Sequence, residues 1–263
     1  MTLDALLHAL LHALQADLPL MLLLGFATYF QTVTGFGLGM IVLGGASGFG
    51  LAPVASVAIL VSLVTLMNSA LALPGTLHHI DWRAVRAATL GILPSVVVGV
   101  LLFDYLNGTA SNALHLLLGA VVLYGGIGSA LRPAPKFKRS GDMGFFLSGV
   151  FGGLLSGMFG ISGPPLIFYF YRQPLTLVQI RCALILLFAV TASIRTLYSA
   201  GTGQLPASMV WQAAIALPVV TFATLFARRY PPPLSSVTTR RIAFLTLILL
   251  GTHLIVSALR EMA

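Results

Sequence analysis

Apolar residues gather in eight long runs, at about 18–43, 53–74, 87–103, 112–131, 143–171, 176–199, 208–227 and 239–259. A helix of roughly 20 apolar residues crosses a bilayer, so each run predicts a membrane element. Polar and basic residues collect in the short stretches between them. The first and fifth runs are longer than a simple span needs, and both are interrupted by glycine. One interruption is Gln31-Thr32-Val33-Thr34-Gly35-Phe36-Gly37-Leu38-Gly39, the other Ser156-Gly157-Met158-Phe159-Gly160-Ile161-Ser162-Gly163-Pro164-Pro165. Ahead of the first run, residues 1–17 read as an amphipathic segment lying in the interface. His8 and His12 share a face of it, but with no third ligand nearby an interfacial polar face is the better reading than a metal site. The segment lacks a basic start and contains Asp4 and Asp17, so no cleavable signal is expected.

Composition turns this pattern into a class. The chain is 58% hydrophobic and 8% charged, against about 25% charged in soluble domains. An all-α polytopic membrane protein is the expectation. The net charge of +8, from 14 Lys+Arg against 6 Asp+Glu, fits basic loops on the cytoplasmic side rather than nucleic-acid binding. Cys182 is the single cysteine, which excludes an internal disulfide and a Cys-x-x-Cys motif. No P-loop lysine motif is present, so ATP hydrolysis is not indicated. Asp4, Asp17, Asp81, Asp104, Asp142 and Glu261 all fall at run ends or in loops, which disfavours a cation pump. No metal and no cofactor are expected.

The two halves of the chain resemble each other. Phe36-Gly37 matches Phe159-Gly160 at an offset of 123, Leu93-Pro94 matches Leu217-Pro218 at 124, and Ser129–Arg132 matches Ser257–Arg260 at 128. The reading is a duplicated unit: repeat 1 over 18–131, a basic cytoplasmic linker over 132–141, and repeat 2 over 142–260. If all eight runs cross the membrane, six of twelve loop arginines and lysines fall on each side. If the first, glycine-broken element of each repeat turns back as a hairpin or re-entrant piece, all twelve fall inside. Three crossings per half then make the repeats inverted, an architecture of many secondary transporters, with both termini outside.

Broken helices at membrane depth survive only where protein or a watery cavity satisfies their backbone. Paired breaks in two repeats are the sequence pointer to a transporter's substrate site. Gly35, Gly37, Gly39, Gly160, Gly163 and Pro164 are therefore candidate substrate-binding residues. A new helix N-terminus at each break offers free amides and a positive dipole end to an anion, and Gln31, Thr34, Ser156 and Ser162 would add neutral hydrogen bonds. The alternative is that these glycines only allow close helix packing. Arg181 and Arg195, 14 residues apart on one run, are candidates because an arginine at the bilayer centre costs at least about 2.5–3.5 kcal/mol. Asn68 is read as an interhelical hydrogen bond, and His115 and His253 as structural. His78, His79, Asp81 and Trp82 are read as a loop before Arg83 and Arg86.

These residues resemble the TauE/SafE sulfite exporter family. The resemblance rests on Gly35–Gly39, on His79-Ile80-Asp81-Trp82-Arg83, and on Gly157 to Pro165 followed by Tyr169, Pro174 and Arg181. It covers about 18–260 and implies a duplicated, all-helical permease of the cytoplasmic membrane. The expected partners are the bilayer, a small sulfur-containing anion such as sulfite, thiosulfate, sulfoacetate or a related sulfonate, and a coupling proton or ion. The motif match carries a site role to Gly37, Gly39, Gly160 and Gly163. Arg195 is proposed on physical grounds alone. An anion channel on the same scaffold and a membrane scaffold or enzyme subunit are the other readings.

Overall fold

The computed structural model describes residues 3–109, 138–161 and 163–230, with isolated helical positions between 116 and 127 and between 245 and 256. Ser162, His115, His253 and most of the expected runs at 112–131 and 239–259 lie outside the described residues. Among those described there are eight α-helices: α1 (Leu3–Thr34), α2 (Leu38–Gly48), α3 (Val54–Ala72), α4 (Trp82–Thr109), α5 (Asp142–Phe159), α6 (Gly163–Tyr171), α7 (Leu177–Gly201) and α8 (Ala207–Arg229). Five of them, α3, α4, α5, α7 and α8, are long and apolar enough to cross a membrane. The fold is all-α and polytopic.

Local signals set several boundaries. Asp81 starts α4, its Oδ1 accepting from the amides of Arg83 and Ala84 at 3.2 Å each. Trp82, Arg83 and Arg86 therefore belong to the helix rather than to a loop. The helix also outruns its apolar stretch to Thr109, so Asp104 lies within it, exposed and accepting from Gln204 Nε2 at 2.9 Å. Thr176 and Gln179 form a reciprocal capping box at the start of α7. α1 runs without a break from Leu3 through Pro19 to Thr34, where the sequence suggested a separate segment over 1–17.

The contacts fix the path of the chain. Ser140 N donates to Gln173 Oε1 at 2.9 Å, and the Phe145 ring lies 5.0 Å from that of Tyr169. The start of α5 thus meets the end of α6, and the chain doubles back between them. α2 doubles back along α1 in the same way, its Gly45 resting on Leu23. At one end of the molecule Arg228 Nη1 donates to the Leu71 carbonyl at 2.6 Å, tying the end of α8 to the end of α3. Inside, Asn68 of α3 joins Thr32 of α1 at 2.8 Å and Thr224 of α8 at 2.9 Å, all three buried.

The closest helix pair is α4 with α5, one from each half of the chain. Gly149, Gly153 and Gly157 recur every fourth residue, placing one smooth face of α5 against α4. A Cβ on Gly149 would overlap the Ala88 carbonyl, and one on Gly157 the Val96 carbonyl. From the other side, Gly91 and Gly99 press on the carbonyls of Phe146 and Leu154. Charges tie one end of this seam. Arg139 reaches Asp81 at 3.2 Å and Asp142 at 3.1 Å and lies 5.0 Å over the Phe145 ring, while Arg83 meets Asp142 at 2.9 Å. Arg83 is 74% exposed, so the backbone contact, not that ion pair, holds the seam.

Gly149→Val should separate α4 from α5 and lower the thermal unfolding midpoint in detergent, or prevent a monodisperse preparation. Gly141→Ala is the matched control, because nothing lies within 4 Å of its Cβ position and its φ is −66°. It should change stability by no more than about 0.5 kcal/mol.

Candidate functional site

The first break follows Thr34. Gly35 and Gly37 have φ of +88° and +106°, and the helix restarts at Leu38. L side chains rarely adopt these angles, and a Cβ at Gly37 would also lie 2.8 Å from the Phe30 ring. Thr34 Oγ1 donates to the Phe30 carbonyl at 2.8 Å and sits 3.4 Å from the Phe36 amide, which binds the turn to α1. Tyr171 Oη donates to the Thr34 carbonyl at 3.0 Å, linking this turn to the end of α6. At the second break Gly160, φ +69°, ends α5 with its amide on the Ser156 carbonyl at 2.8 Å. Pro164 and Pro165 occupy the first turn of α6, where a missing N–H costs no helical bond.

The two breaks touch. A Cβ on Gly39 would lie 2.8 Å from the Gly160 carbonyl oxygen. Between them is a cavity of about 20 Å³, room for roughly one water. Gln31, Gly37, Gly39, Ser156, Gly160 and Gly163 line it from the two broken elements. Ser62 and Thr65 of α3 and Thr191 of α7 add hydroxyls, and Met40, Ile161, Phe188 and Ala192 add apolar surface.

Gln31 is 2% exposed, and its Oε1 accepts from the Leu38 amide at 3.3 Å. That amide can only donate, so it fixes the orientation of the Gln31 side chain. Nε2 is left buried without a partner. An unmet buried donor is costly and calls for an acceptor. Gly39 and Met40 line the same cavity. The first bond back into α2 runs from Ile41 N to Gly37 O at 2.9 Å, so both precede the helical ladder. Free amides at a helix N-terminus can donate to an anion without a charged side chain.

Arg195 is 4% exposed and stands one turn beyond Thr191 on α7. Its Nη1 donates to the Ser156 carbonyl at 2.8 Å and to the Gly157 carbonyl, capping the C-terminal end of α5 behind the cavity wall. Its Nε is buried without a partner. Arg181 lies at the start of α7, its Cα 2.8 Å from the Cβ position of Gly35, and it does not line the cavity. Thr34, Gly35 and Pro164 build the turns rather than the lining. Ser62, Thr65 and Thr191 were not singled out from the sequence, where single hydroxyls in apolar helices carry no distinguishing pattern.

The chain matches the family described as Sulfite exporter TauE/SafE over residues 20–254. It is 67% identical to the probable sulfite/organosulfonate exporter TauE of Cupriavidus necator, over 92% of this chain and 94% of that one. It is 28% identical to the probable inner membrane transporter protein TsaS of Comamonas testosteroni, over 59% of this chain and 66% of that one. No solved structure matches.

Tyr171→Phe removes the hydroxyl that holds the first turn to α6 and nothing else of the side chain. The expected cost is about 1 kcal/mol, read as a lower unfolding midpoint with the protein still folded.

Proposed function

The chain belongs to the TauE/SafE family of membrane transporters, and on that premise we propose that it carries a small sulfur oxyanion across the cytoplasmic membrane by alternating access. Sulfite, thiosulfate, sulfoacetate and related sulfonates are the candidate cargo, and sulfite and organosulfonates are what the name of the Cupriavidus necator relative gives. The chain is a transporter rather than an enzyme. The observation that carries the reading is the unpaired Nε2 of Gln31 at a cavity walled by two helix breaks.

In this reading the two halves are inverted repeats, each beginning with an element that enters the membrane and returns. The meeting of Ser140 with Gln173, and of Gly45 with Leu23, supports the two returns. The common end formed by Arg83, Arg139 and Arg228 supports a cytoplasmic face there. The α4–α5 seam ties the repeats together, so the moving boundary runs through another contact between the halves, that of α2 with the α5–α6 turn. The cavity holds roughly one water, less than a sulfur oxyanion needs, so in this reading the site widens to take its cargo. A proton or ion would supply the coupling.

Gly163→Leu tests the site. The Gly163 Cβ position lies 3.0 Å from Ile167 Cδ1 and 3.1 Å from Met40 Cε. A leucine there has to push the flexible Met40 and fill the cavity. Saturable sulfite flux in proteoliposomes should be lost while the amount of protein in the membrane stays near that of the unaltered chain. Gln31→Glu should also abolish flux, because it keeps an acceptor for the Leu38 amide but replaces the free donors with negative charge. Normal flux in both variants would remove the cavity from the mechanism.

A further inference from the structure

We infer that the cavity selects singly charged sulfur anions, hydrogen sulfite and monosulfonates, over doubly charged ones such as sulfate, thiosulfate and sulfoacetate. This rests on the transporter reading above. Of the described residues that line the cavity, none is charged. The helix breaks contribute partial charges in opposing pairs. The N-terminal ends of α2 and α6 are positive, while the C-terminal ends of α1 and α5 at the same turns are negative by a similar amount. They orient an anion without adding net charge.

Among the described residues, Arg195 is the one charged side chain that is buried. It is buried, bonded to the carbonyls of Ser156 and Gly157, and in no ion pair among the described residues. The carboxylate that interacts with it electrostatically, Asp104 of α4, is exposed and held by Gln204. Arg181, four turns away along α7, backs on Gly35 but is only half-buried and does not line the cavity. One buried positive charge balances one negative charge. A second negative charge would enter without a partner, and the desolvation penalty of an ion grows with the square of its charge. Gln31 Nε2 and the amides of Gly39 and Met40 can meet the oxygens of a sulfonate, and Met40, Ile161, Phe188 and Ala192 can receive its apolar substituent.

The test uses the full chain in proteoliposomes, with labelled sulfite as tracer and methanesulfonate, sulfate and thiosulfate as competitors. Sulfite passes from monoanion to dianion through neutral pH, whereas methanesulfonate remains a monoanion and sulfate a dianion. Sulfite flux should fall as pH rises through neutrality. Methanesulfonate should compete equally at every pH, and sulfate and thiosulfate at least about tenfold more weakly. In Arg195→Gln the competition by methanesulfonate should weaken by about tenfold, and Arg195→Lys should recover it by restoring the charge. Sulfate or thiosulfate competing as well as methanesulfonate, or sulfite flux rising with pH, would overturn the charge selection and leave the transporter reading standing. No saturable flux of any of these anions by folded protein would overturn the transporter reading itself.

Discussion

The contact on which the rest of the structure depends is that between two interrupted helices, where Gly39 of α2 lies against the carbonyl of Gly160. Ending a helix inside a membrane strands amides and carbonyls that lipid cannot satisfy. The protein answers each group locally. Thr34 ties its own turn, Tyr171 holds the Thr34 carbonyl, and Arg195 takes the last carbonyls of α5. Gln31 takes the Leu38 amide. Gln31 Nε2 is left without a partner at the cavity between the breaks, which Gly39 and Met40 also line.

Two kinds of packing divide the molecule. Along α4 and α5 the backbones are in direct contact through glycines on both sides, a surface with no slack for rearrangement. Around the cavity the neighbours are side-chain ends such as Met40 and Ile167, which can shift rotamer. A carrier needs both properties: a unit that keeps its shape and a site that opens. The seam also joins α4, from the first half of the chain, to α5, from the second.

Much of the architecture was legible because membrane helices obey a single strong rule. Apolar runs of sufficient length give the spans, and glycines with prolines give the places where the helix stops. Gly37 and Gly160 end up at turns that only a glycine tolerates easily, and both line the cavity. The start of α4 was hidden because Asp81 acts as a cap while the polar residues after it look like loop. The close partners of Gly149 and Gly157 were also hidden, since glycine spacing says that a helix packs tightly but not against what. Arg195 stood out by its cost in a membrane, yet its bonds to the carbonyls of Ser156 and Gly157 depend on the fold. Ser62 and Thr65 reach the cavity only through the placement of α3.

The central claim is that an anion sits between the two breaks, held by neutral donors. The most direct measurement is a structure of the protein with a bound monosulfonate. Its sulfonate oxygens should lie within hydrogen-bonding distance of Gln31 Nε2 and of the Gly39 or Met40 amide, with α4 and α5 still in contact. A sulfonate seated on Arg181, or anywhere outside the space between Gly39 and Gly160, would contradict the account.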